Sequence, residues 1–562
     1  MRSLRVQQTG LTTAVTIKAT TRVTCTLLVV LCSNSFVIAA EDVDLFIHNA
    51  RITTVDSDFS LAKAMAIRGD RIVAVGGDEI EQQFNARRTI DLDGQFVMPG
   101  FIDTHTHLSG NPPWYIDLTK VRSIVEVTSL VKAKVAMLPK GHWITGYGWS
   151  EDVLAEQRRP LRDDLDDAAP DNPVGLTRAG GHSAVFNSSA LAAGKIDETT
   201  TQPDSGTIEK GDDGRLNGVI RERHEMLLDL APVATDDIVR NSFLINLRDL
   251  FKLGITSIVQ AADSIDHYPE WQHVYAEHRG TLPRAAVQVR WEGDDRMAAF
   301  GGKTGDGDEH LRLGAIKVFA DGGFTGPAAF TKKPYKGMGE YRGSLTMSDA
   351  ELLQTFEAAH RAGWQLGVHA IGDAAIELVV SQLADVVHAK PRANHRHYLN
   401  HFTIRPSDKT MQLMAANQIA ITQQPNFTWT LEGRYSAYLG ADELETNNPL
   451  RSPMSHGVFV ALSSDILPLG PLVGIRAAVT RKGMSGKVYG EDEKLSIQEA
   501  LTGYTRLGAW LTFEEKLKGS LEPGKLADFI VLGQDPLTLD PDKLMDVPVL
   551  QTWLGGKQVW KH

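Results

Sequence analysis

Val97-Met-Pro-Gly-Phe-Ile-Asp-Thr-His-Thr-His107 decides how this chain is read. Its apolar half has the texture of a short strand, and it closes on two histidines two residues apart. Alternation along a strand sends both imidazoles to one face. Two imidazoles converging at a strand end can grip a divalent metal. A lone His-x-His pair also fits two ordinary histidines beside a loop, so its weight depends on what surrounds it.

Downstream, apolar strand-like runs alternate with helical stretches, the pattern of a parallel α/β fold. Eight strand candidates fall at 97–103, 255–260, 285–291, 315–320, 366–369, 398–401, 419–423 and 458–463, with helical stretches such as 349–362 and 373–388 between them. Eight strands with helices predict a (β/α)8 barrel of the TIM type, whose sites form at the carboxyl ends of the strands. The gap between the first two strands is too long for one βα connection. It calls for an insertion of roughly 90 residues or more, placed near 141–235. Short strands at 44–52, 64–75 and 95–98, and again at 527–532, 549–553 and 558–560, predict a small β-sandwich built from both chain ends. The expected division is a signal peptide at 1–40, the sandwich's two parts at 41–98 and 516–562, and the barrel with its insertion at 99–515.

The totals agree with a large globular chain: 562 residues, 42% hydrophobic and 23% charged. A net charge of −12, with no basic stripe interleaved with aromatics, argues against nucleic acid. Arg2, Arg5, Lys18 and Arg22 precede an apolar run at 23–31 and small residues near Ala39, the order of an export signal. The run is too short to span a bilayer, so no membrane span is expected once the signal is removed. Export to the periplasm or beyond is therefore expected, with the cytoplasm the alternative if the start codon is misassigned. Both cysteines, Cys25 and Cys32, lie in this leader. The mature chain would then hold any metal through His, Asp, Glu or a modified Lys.

The 97–107 stretch resembles the first-strand signature of the amidohydrolase superfamily. Gly519-Ser-Leu-Glu-Pro-Gly-Lys-Leu-Ala-Asp-Phe-Ile-Val-Leu532 resembles that superfamily's return into its small β-domain. Arg178-Ala-Gly-Gly-His-Ser183, Asn187-Ser-Ser-Ala-Leu191 and His369-Ala-Ile-Gly-Asp373 narrow the likeness to the branch of YtcJ-like enzymes and N-substituted formamide deformylases.

The resemblance implies further metal ligands at Lys317, His369, His401 and Asp465, beside His105 and His107. Lys317 lies mid-strand among apolar neighbours, facing either the barrel interior or the helix layer. Buried, it would lose basicity and could carry a carbamate that bridges two metals; alternatively it pairs with an acid such as Asp321, itself a candidate substrate contact. His369 ends a strand. The segment 395–401 offers three histidines, and the family offset points to His401. Asn400 stands where relatives carry Glu, which leaves a ligand's supporting partner in question. Asp465, in a Ser-Asp segment one residue longer than the family pattern, would act as general base and acid. His182 and Arg178 would contact the substrate, His182 helping with the oxyanion, and Trp149 would form an apolar pocket wall.

The implied activity is hydrolysis of a non-peptide C–N bond of the amide or formamide type. Zinc is expected, as one ion or two, with a small-molecule substrate and a homodimer open. The alternatives are a deaminase or cyclic-amide hydrolase on the same residues, or a noncatalytic exported binding protein on a decayed barrel.

Overall fold

The computed structural model describes residues 40–562 apart from Lys120, Asp152, Gly180, Asp204, Ser205, Thr325, Gly326 and Leu467. The expected leader lies outside the described residues save for Ala40. Eight parallel strands pair in chain order to form the central sheet. They are β1 (Phe101–Thr106), β2 (Ile255–Asp263), β3 (Arg284–Arg290), β4 (Leu311–Phe319), β5 (Leu366–Ala370), β6 (Tyr398–His401), β7 (Ala420–Gln423) and β8 (Val460–Leu462). Side chains and backbone just past the strands join β8 to β1. Thr104 Oγ1 donates to Leu462 O at 2.9 Å, Ser464 N–H to Asp103 Oδ1 at 3.0 Å, and Asp465 N–H to His105 O at 2.9 Å. This is the expected TIM-like barrel.

Helices cover the outside because their apolar stripes match the outward strand residues. The helix Asp349–Arg361 starts on a Ser348–Glu351 capping box. Its Leu352 and Phe356 pack with Ile376, Val379 and Leu383 of Asp373–Ala389 and with Ile316, Val318 and Val368 of the strands. Val287 and Val289 of β3 join the same outer core, whereas Ala315, Tyr398, Ala420 and Ala461 from four strands meet as a separate inner cluster.

The run expected as one strand at 97–103 is two. Phe96–Pro99 pairs antiparallel with Phe529–Leu532 in the sandwich, and Phe101 opens β1. Gly100 separates them at a tight approach, where a Cβ would overlap the Thr256 side chain. The sandwich itself is a sheet of Arg71–Gly76, Ala64–Arg68, Glu41–His48 and Phe84–Asp91 against one of six strands that unites 51–62 and 96–99 with 529–561. Both chain ends thus build it.

The insertion after β1 opens earlier than expected. Its six-stranded sheet begins at Tyr115–Asp117 and runs through Leu216–Arg221, with its own core around Leu118, Trp149, Leu176 and Val219. Among the described residues no helix is long and apolar enough to cross a membrane.

Candidate metal centre

The carboxyl ends of β1, β4, β5, β6 and β8 bring six side chains to one mouth. One ring nitrogen each of His105 and His107 and an Asp465 carboxylate oxygen lie within 4.8 Å of one another. Lys317 Nζ sits 3.4 Å from His105 Nε2. The His369 and His401 rings adjoin with centroids 4.4 Å apart, and His401 is 4.9 Å from His105 by the same measure. His401 Nδ1 is 4.0 Å from Asp465 Oδ2. Lys317 faces inward because three residues of β3, Val287 to Val289, oppose four of β4, Leu313 to Ile316. That bulge turns Ile316 and Val318 to the helix layer and Lys317 to the lumen.

His401 and Asp465 both hold left-handed backbone, with φ of 77° and 56°. Such non-glycine conformations cost about 1–3 kcal/mol each and cluster at functional sites. Here they turn a side chain at a strand's end into the mouth.

Hydrogen bonds fix the tautomers. His105 Nδ1 donates to Asn400 Oδ1 at 2.7 Å, and His401 Nδ1 donates to Gln424 Oε1 at 2.9 Å. Asn400 thus supports His105 in place of the expected Glu, and His401 has a partner of its own. Each ring keeps Nε2 as a lone-pair donor. The His105 lone pair faces His107 Nε2 at 3.2 Å, and a carboxylate completes the set. This donor chemistry fits a divalent cation of the zinc type.

Burial governs the charges. It pulls the His107 imidazole down to about 4 and His369 to about 3, and drives His105 and His401 well below the usual range. Nearby Lys317 adds to each of these shifts. Burial also lowers the Lys317 ammonium and raises the Asp465 carboxyl, each partly offset by the other's charge. Asp103, at the seam, is raised to about 7 by burial while accepting the N–H groups of His105 and Ser464.

Four predicted contacts behave otherwise. Trp149 is fully buried in the insertion's core, its Nε1–H donating to Leu176 O, so it walls no pocket. Arg178 pairs with Glu151 at 2.8 Å, and His182, with 79% of its side chain exposed, lies 3.2 Å from Glu222. Asp321 is buried and accepts the N–H groups of Phe330, Ile371 and Gly372. It anchors the loops after β4 and β5, and lies 3.7 Å from His369 Nε2 at the cluster's edge. Of the three histidines in 395–401, only His401 reaches the mouth. His395 and His397 lie with His360 at the barrel floor. Sequence reasoning missed Asp103, which lay inside the signature, and Gln424, for which no motif offered a signal.

The Amidohydrolase family profile matches residues 88–560. The chain belongs to the amidohydrolase family. The putative amidohydrolase YtcJ of Bacillus subtilis is 29% identical to it over 92% of this chain and 99% of its own. The N-substituted formamide deformylase of Arthrobacter pascens is 30% identical over 91% and 97%. An uncharacterized metal-dependent hydrolase from Pyrococcus furiosus, 25% identical, superposes with a TM-score of 0.66 over 88% of this chain and all of the other. As an amidohydrolase, the protein is a metal-dependent hydrolase acting on carbon–nitrogen bonds other than peptide bonds.

A cavity of about 1220 Å³ lies beside the barrel, lined by Ser150 and Ala179 of the insertion, Trp429 and Arg434 after β7, and Pro468 and Leu472 after β8, among others. None of the six candidate ligands lines it.

Proposed function

We propose that this amidohydrolase cleaves an amide or formamide C–N bond at the mouth of its barrel. His105, His107 and Asp465 would hold one zinc ion, with Lys317, His369 and His401 placed for a second. The convergence of His105, His107 and Asp465 within 4.8 Å carries the reading, because His105 Nδ1 is committed to Asn400 and Nε2 has no proton to share. When bound, zinc lowers the pKa of a water and polarises the substrate carbonyl.

This chain's own residues do the rest. Asp465 takes the attacking water's proton and returns it to the leaving nitrogen. Burial favours this by moving its carboxyl up from the ordinary carboxylate range toward neutrality. Burial lowers the basicity of the Lys317 ammonium, so its free amine could add carbon dioxide, lose a proton and offer a carbamate as a ligand to the metal. Asn400 and Gln424 hold two imidazoles in the binding tautomer. The residues 1–40 would direct export, leaving a mature chain without thiols.

The test is metal analysis followed by a panel of N-formyl amines, N-acyl amino acids and cyclic amides. The expected result is bound zinc and turnover of an open-chain amide. Failure to take up any divalent cation, or turnover confined to ring deamination, would overturn it.

A further inference from the structure

Arg290 is the last residue of β3 and stands opposite Lys317 in the strand register. Its direction follows from its neighbours. Val287 and Val289 face the helix layer, while Gln288 donates to the Tyr398 hydroxyl inside the barrel. Alternation then sends Arg290 to the lumen, at its open end. Arg290 is exposed, and no hydrogen bond or ion pair joins it to any other described residue. Three buried or half-buried arginines are by contrast committed, Arg284 to Asp528, Arg396 to Glu515 and Arg178 to Glu151.

With no counter-charge among the described residues, this guanidinium stands at the mouth with its donors unused. Its planar fork suits a carboxylate brought by the substrate. Phe319, whose ring lies 5.1 Å from Lys317 Nζ and 5.5 Å from the His369 ring centre, gives the same rim an apolar wall.

We propose that Arg290 is a specificity-determining residue that binds a carboxylate of the substrate, so that the preferred substrates are amides of amino acids or related carboxylate-bearing amines. This rests on the hydrolase reading above only for the identity of the bond cut. The anchor itself is a binding claim.

The probes are N-formylphenylalanine and N-formylphenethylamine, which differ by the carboxylate alone. Calorimetric titration into zinc-loaded protein should give about tenfold or greater preference for the carboxylate probe. R290Q should lose that preference, R290K should keep part of it, and all three proteins should hold the same zinc. A wild type without preference, one that binds no carboxylate probe at millimolar concentration, or an R290Q that keeps the preference overturns the proposal. So does an R290Q that loses zinc and regains it with bicarbonate, since Arg290 would then serve a carbamate on Lys317. Turnover separates the two readings: both probes cut at equal affinity leaves the hydrolase and removes the anchor. Preference in binding without cleavage of either does the reverse.

Discussion

The barrel carries two buried histidine clusters, one at each end, and they solve the same problem differently. At the floor, His360 Nε2–H donates to Lys390 O at 2.8 Å, so its Nδ1 accepts from His397 Nε2–H at 2.8 Å. His397 Nδ1 accepts the Leu366 N–H at 3.0 Å. His395 Nε2–H donates to Asn417 O at 2.9 Å, and its Nδ1 accepts the His397 N–H at 3.0 Å. Every ring nitrogen is used and every tautomer agrees. At the mouth, Nδ1–H groups go to Asn400 and Gln424, and the remaining lone pairs converge on Asp465 and one another. A satisfied cluster is architecture; one whose lone pairs converge is a receptor for a cation.

The largest break in this comparison comes from stripping divalent cations. A chelator should abolish turnover and lower Tm, with zinc restoring both; a stripped protein that still turns over would erase the distinction between the clusters. Next is Asp465→Asn, which should lower kcat about 10²–10⁴-fold. The Tm of the metal-free protein should hold, because Asn tolerates the left-handed backbone there.

At the floor the expected loss is of stability alone. His397→Leu leaves the Leu366 N–H and His360 Nδ1 without partners and should cost about 3 kcal/mol, read by denaturant unfolding at unchanged zinc content. A zinc loss in that variant would show the clusters to be coupled.

Acid sharpens the contrast in the metal-free protein. Burial holds His395 down to about 4 and His397 well below the usual range. The unfolded chain therefore binds protons first, and the stability these two contribute is full above about 6.5 and drains as pH falls toward 4. His397→Leu should flatten that part of the unfolding profile. Smallest of all is His182→Ala, expected to shift stability by less than about 0.5 kcal/mol, because its side chain stands in solvent beside Glu222.

The barrel was legible because its strands are short apolar runs separated by helical periodicity, a pattern set by burial on both faces of a parallel sheet. The sandwich was legible at both ends for the matching reason, alternation bounded by glycine turns. The mouth was legible in part. His105, His107 and His369 stand at the ends of apolar runs, where alternation alone suggests where they point. His401 and Asp465 depend on left-handed backbone, which histidine and aspartate adopt more readily than most residues but which their type alone does not place at a given position. The insertion's start was misplaced because Tyr115–Asp117 is a three-residue edge strand with little apolar pattern of its own.

By itself the sequence determined the layers, the order of the strands and which residue types could hold a metal. Hydrophobic periodicity and short-range spacing encode these directly. Tertiary structure alone decided which candidates meet. The bulge in β4 turned Lys317 inward, the pairing of β6 with its neighbours gave Asn400 to His105, and the insertion's core drew Trp149 away from any pocket. Direction, partner and charge depend on residues far apart in the chain, and only packing brings those together.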